Sequence, residues 1–97
     1  MNQTWTNILK IKKASWMTQY GLTRLAVFGS QLRGDARPGS DLDILVNFQR
    51  PFKLDLLQFI SLGQELEEEL HIPVDLVLET ELKPDLRENI LREAVDI

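Results

Sequence analysis

Three short segments carry residue types that could do chemistry together. Gly29-Ser30 ends the apolar run Leu25-Ala26-Val27-Phe28, and after ten intervening residues, 31 to 40, Asp41-Leu42-Asp43 opens a second apolar run. A third run, Pro73-Val74-Asp75-Leu76-Val77-Leu78, is interrupted by Asp75. A glycine lets backbone approach phosphate oxygens closely, and the amides and hydroxyl of a Gly-Ser turn can bind them. Carboxylates side by side on one strand face repel each other unless something positive sits between them, and through oxygen they hold Mg²⁺. A third carboxylate nearby can bind a second ion or take the proton of an attacking hydroxyl. Arg33 and Arg37, on the loop after Gly29-Ser30, lie where they could neutralise phosphate charge. These are the parts of a phosphoryl or nucleotidyl transfer site.

The elements around these residues are arranged to present them. Leu25 to Phe28 and Asp41-Leu42-Asp43-Ile44-Leu45-Val46 read as strands, and alternation puts Asp41 and Asp43 on one face with Leu42, Ile44 and Val46 on the other. Gln31 to Ser40, with Gly34, Pro38 and Gly39, reads as a loop whose start has room for one helical turn. An opening helix over Trp5 to Tyr20 has its apolar stripe at Trp5, Ile8, Leu9, Trp16, Met17 and Tyr20, with Thr4 and Gly21 as its expected caps. Leu54 to Leu70 is a second helix with Leu56, Phe59, Leu62, Leu66 and Leu70 on one face. Its acids Glu65, Glu67, Glu68 and Glu69 oppose the helix dipole and read as a solvated or partner-facing surface. Pro73 to Leu78 is a third strand, and Lys83-Pro84-Asp85 opens a last helix with Leu86, Ile90, Leu91 and Ala94 as its stripe. The expected fold is α/β (α+β): one domain over residues 1–97, with a small mixed sheet of about three strands flanked by helices.

Composition narrows the chemistry. The 97 residues are 43% hydrophobic and 27% charged, which fits a globular chain with room for one core. With no cysteine and one histidine, His71, disulfides and nitrogen- or sulfur-rich metal cages are excluded, so metal ligands must be oxygens. His71 reads as a helix-end residue with no chemical role. The apolar runs are too short to cross a bilayer, and Met1-Asn2-Gln3-Thr4 lacks the basic and apolar blocks of a signal peptide, which points to the cytoplasm. The net charge of −4 divides unevenly: residues 1–39 carry +5 and residues 40–97 carry −9. Lys10, Lys12 and Lys13 have no interleaved aromatics, so they read as solvated surface and direct nucleic-acid binding is not expected.

The run Phe28-Gly29-Ser30-Gln31-Leu32-Arg33-Gly34, then Arg37-Pro38-Gly39-Ser40-Asp41-Leu42-Asp43-Ile44-Leu45-Val46, resembles the signature of the DNA polymerase beta-like nucleotidyltransferase superfamily. It is closer still to the minimal nucleotidyltransferases, the MNT-domain antitoxins paired with HEPN-domain toxins. The resemblance continues through Pro73-Val74-Asp75-Leu76-Val77, Leu82-Lys83-Pro84 and Ile90-Leu91-Arg92-Glu93-Ala94-Val95, roughly from Leu25 onward. Gly-Ser or Asp-x-Asp alone is weak; both at this spacing, followed by an acid in the next strand, are specific.

The resemblance implies a Mg²⁺-dependent enzyme, with two ions, that transfers AMP from ATP to a hydroxyl, of tyrosine, on a HEPN RNase toxin and so silences it. It makes Asp41, Asp43 and Asp75 the catalytic and metal-binding residues, and Gly29, Ser30, Arg33 and Ser40 the nucleotide-holding set. The alternative is a non-catalytic antitoxin that masks its toxin, with the acidic run around Glu65 to Glu69 docking on a basic RNase surface. Transfer to a small molecule is disfavoured, because relatives of that kind carry an additional acceptor-binding domain.

Overall fold

The computed structural model describes all 97 residues as a four-stranded sheet with helices on both faces. Helix α1 (Gln3–Tyr20) leads through Gly21, in the left-handed conformation at φ 70°, into β1 (Leu22–Phe28). Its N-cap is Asn2, whose side chain accepts the Trp5 amide, rather than Thr4. A four-residue α2 (Ser30–Arg33) follows directly on Gly29, and β2 spans Leu42–Phe48. Helix α3 (Leu56–Leu70) crosses over to β3 (Val74–Leu78), and after a single 3-10 turn α4 (Pro84–Glu93) runs into β4 (Val95–Asp96).

The strand order is β3-β2-β1-β4, with β1 antiparallel to β2 and β4, and β2 parallel to β3. The expectation of about three strands falls short by β4, a two-residue strand too brief to show alternation; it pairs Val95 with Val27 and Asp96 with Ala26. β1 also begins earlier than its apolar run, at Leu22, with a register irregularity between Leu22 and Arg24.

Alternation divides the core between the two faces. Leu25, Val27, Leu42, Ile44, Val46 and Phe48 meet Leu9 and Trp16 of α1 and Leu62, Leu66 and Leu70 of α3 in one buried cluster. Ala26, Phe28 and Leu45 point the other way, against Ile90, Leu91 and Ala94 beside α4. The stripes foreseen for the helices are correct in period, but their ends are uncovered: Met17, Leu56 and Leu86 are all exposed. Leu56 belongs instead to a largely apolar groove of about 490 Å³ lined by Phe48, Phe52, Leu54, Phe59 and Leu76, near the C-terminal end of β2.

The acidic run on α3 is partly tied to its neighbours. Lys12 of α1 bonds Glu65 at 2.7 Å and also pairs with Glu69, while Glu67 accepts the Val74 amide at 3.1 Å and so caps the entry to β3. Glu65, Glu68 and Glu69 remain exposed, so the run is the solvated surface its sequence suggests, whereas Lys12, read as a solvated cation, is instead largely covered between Glu65 and Glu69. His71 is the α3 cap at φ 57°, its amide donating to the Glu67 carbonyl.

Candidate active site

β1 ends, and β2 and β3 begin, at the same edge of the sheet. That follows from the topology, since β1 runs antiparallel to β2 and β3 runs parallel to it. Phe28 is the register partner of Asp43, so Gly29 emerges beside the Asp43 side chain. Asp43 in turn is the register partner of Asp75, and in-register residues of parallel strands present their side chains on the same face. That is the α4 face, because Leu42, Ile44 and Val46 fill the opposite one. Asp41 lies one residue before β2, exposed, and Asp75 is exposed on the edge strand, while Asp43 is half-buried between them.

Gly29 adopts φ 84° and ψ −164°, a conformation side chains rarely take. A Cβ built there would lie 2.1 Å from Oδ2 of Asp43 and 3.0 Å from its Cγ, both far inside contact distance. The position is glycine for two independent reasons, backbone angle and the carboxylate packed over it. The chain then turns through α2, where the amides of Leu32 and Arg33 donate to the Gly29 carbonyl.

The electrostatics centre on Asp43. Burial, then the charges of Asp75 and Asp41, push its carboxyl up from 3.8 to about 6, and Glu93 adds to this while Arg33 opposes it. No salt bridge reaches Asp41, Asp43 or Asp75, so the cluster carries negative charge that no side chain of the protein neutralises at contact. The donors are hard carboxylate oxygens, the type that suits Mg²⁺. They do not converge into a closed cage of three or more protein ligands. Mg²⁺ keeps several waters and binds through one or two carboxylates plus substrate phosphates, so an open set is the arrangement it takes. The residues present fit the ion.

The remaining residues singled out in the sequence are placed as follows. Ser30 opens α2 immediately after the Gly29 turn, and its carbonyl accepts the amides of Gly34 and Asp35. Ser40 lies just before Asp41, with its Oγ accepting the Arg37 amide at 3.0 Å and its carbonyl accepting from Gln31 at 3.3 Å, so it closes the connecting loop. Arg33 ends α2, where it pairs with Glu93 and, at 3.3 Å, with Asp35. Glu93, the last residue of α4, also accepts the Gly29 amide at 3.3 Å. Sequence reasoning passed over Glu93 as a site residue. One signal was available, because an acid at a helix C-terminus opposes the dipole and calls for a cationic partner.

The family model for the nucleotidyltransferase domain matches residues 8–97. The chain belongs to the nucleotidyltransferase family. The protein adenylyltransferase MntA of Thermococcus cleftensis is 41% identical over 90 residues, covering 92% of this chain and 88% of its own. Among solved structures, one named as a minimal nucleotidyltransferase superposes with a TM-score of 0.77 at 39% identity, over 100% of this nucleotidyltransferase and 97% of that chain. Another, a toxin-antitoxin crystallised with AMP-PNP, gives a TM-score of 0.73 at 25% identity, over 95% of this chain and 70% of its own. No helix of this nucleotidyltransferase is long and apolar enough to cross a membrane.

Proposed function

We propose that this nucleotidyltransferase is a Mg²⁺-dependent protein adenylyltransferase acting in the cytoplasm. It transfers AMP from ATP to a tyrosine hydroxyl on a HEPN-type RNase toxin and thereby serves as that toxin's antitoxin. The observation that carries the reading is the carboxylate set: Asp43 and Asp75 in register, Asp41 beside them, and the Gly29 turn packed against Asp43 where no Cβ fits. The activity named for the 41% identical relative and the toxin-antitoxin neighbour with its nucleotide analogue support the substrate and partner classes.

In the proposed reaction the acceptor oxygen attacks the α-phosphorus, forming an O–P bond as the bond to the β-phosphate breaks and pyrophosphate leaves. Gly29 and Ser30 offer backbone amides and a hydroxyl to the triphosphate, and Arg33 lies within reach of the same turn. Asp41 and Asp43, with Asp75, would hold Mg²⁺, two ions when the site is full, and bound Mg²⁺ would neutralise the charge that builds on the phosphates in transfer. Asp75 is exposed on the edge strand, where a protein-sized acceptor can reach it, and it takes the hydroxyl proton. Lys12 offsets one charge of the acidic α3 run, which stays exposed at Glu65, Glu68 and Glu69, and masking of the toxin through that run is the second reading.

The test is incubation with α-labelled ATP, Mg²⁺ and a HEPN-type RNase, the product of an adjacent reading frame being the one to try. Label should reach the partner with wild type, fall by at least about a hundredfold with Asp43→Asn, and be absent when the accepting tyrosine is phenylalanine. Transfer by Asp43→Asn at the wild-type rate would refute the assignment.

A further inference from the structure

Glu93 reaches across from the end of α4 to make two contacts that an anionic ligand would otherwise make. Its Oε2 accepts the Gly29 amide at 3.3 Å, and its Oε1 is paired with Nη1 of Arg33. The amide has one hydrogen to donate, so it cannot serve the Glu93 carboxylate and a phosphate oxygen fully at once. The guanidinium is partly committed in the same way, with Nη1 turned to Glu93 and Nε to Asp35. Charge sharpens the competition: Glu93 is a fourth carboxylate beside Asp41, Asp43 and Asp75, and its field reaches Asp43. A group that only braced α4 against the sheet would not need to sit on the amide of the one residue whose backbone admits no side chain.

We propose that Glu93 is a positioning residue that occupies the triphosphate's place on Gly29 and Arg33 in the nucleotide-free protein and yields both groups when nucleotide binds. The inference rests on the reading of the Gly29 turn as the triphosphate site. Glu93 holds the turn and Arg33 in place while the site is empty, and it lowers the affinity for every phosphate ligand by requiring displacement. Ligands with few contacts, such as inorganic phosphate or released pyrophosphate, are penalised most relative to their total binding. Its place in the last turn of α4, with the side chain a quarter exposed, lets it swing outward without disturbing Ile90 and Leu91 on the buried side.

Calorimetric titration with α,β-methylene ATP and Mg²⁺ tests this, since that analogue cannot release AMP. Glu93→Gln is expected to bind it about five- to tenfold more tightly than wild type, the gain when a competent state populated a tenth to a fifth of the time becomes dominant. In an Arg33→Ala background, where Glu93 has lost its anchor, the same substitution should change affinity by less than about twofold. Circular dichroism melts establish that each variant is folded, and a gain that persists in full in the Arg33→Ala background would reflect the loss of one negative charge alone and would overturn the inference. If wild type binds and folded Glu93→Gln binds equally or more weakly, the inference is overturned and the triphosphate site stands. If wild type does not bind the analogue, the triphosphate reading falls and this inference with it.

Discussion

Asp43→Asn should make the metal-free protein more stable while removing its activity. The carboxyl of Asp43 is raised from 3.8 to about 6 by burial and by the like charges of Asp75 and Asp41. Because the native state therefore binds more protons than the unfolded chain between these values, stability falls as pH rises through that window. The penalty is absent below pH 3.8 and complete above pH 6. Two units at about 1.4 kcal/mol each set a ceiling near 3 kcal/mol. Asp43 is only half-buried, and solvent screening reduces the figure to about 1 kcal/mol.

Asparagine has the same shape, so the packing over Gly29 is kept and the charge alone is removed. For a domain of this size, 1 kcal/mol corresponds to a rise in Tm of about 4–8 °C. Thermal melts followed by circular dichroism in EDTA, from pH 4 to pH 8, read this directly. The two proteins should converge at pH 4 and separate above pH 6, and added Mg²⁺ should raise the Tm of wild type more than that of the variant. A variant that is no more stable than wild type at pH 8, or that gains as much at pH 4 as at pH 8, would show that Asp43 is not held under charge stress.

Two further outcomes follow from the same geometry. Gly29→Ala combines a positive φ with a Cβ placed 2.1 Å from Asp43 Oδ2, so it should cost about 2 kcal/mol or more in stability and weaken nucleotide binding, read by denaturant melts and calorimetry. Asp55→Ala removes one half of the capping box with Gln58 at the start of α3, and should cost about 1 kcal/mol in a urea melt while leaving transfer activity unchanged.

The carboxylate site was legible in the sequence because its parts sit at strand ends, where alternation and strand order decide which side chains meet. Asp41 and Asp43 share a face by period alone, and Asp75 joins them once β3 is parallel to β2 in the observed register. The glycine at 29 was legible as a turn, whereas its second cause, the Asp43 carboxyl packed against it, depends on the β1 to β2 register. At Glu93 the helix end called for a cationic partner, but nothing local marks it as the acceptor of the Gly29 amide 64 positions away. Periodicity likewise identified the faces of α1, α3 and α4 but not how far the sheet extends beneath them, and so Met17, Leu56 and Leu86 emerged exposed.

The opposed charges of the two halves gain a different meaning from the fold. Four of the six cations in residues 1–39 are committed internally: Lys12 to Glu65 and Glu69, Lys13 to the Ile97 carbonyl, Arg24 to Glu79 and Asp96, and Arg33 to Glu93 and Asp35. The basic half thus holds the acidic half in place, fastening α1 to α3 and β1 to the segments that follow β3 and α4. Of the acids, those at the shared strand edge are passed over by every one of these cations, although Arg33 lies close enough for its charge to be felt at Asp43. A fold that distributes its cations so widely yet leaves three neighbouring carboxylates uncompensated places the demand for positive charge at Asp41, Asp43 and Asp75. In the reading proposed above, Mg²⁺ arriving with a triphosphate would answer that demand, and the charge stress at Asp43 would be relieved by the ion.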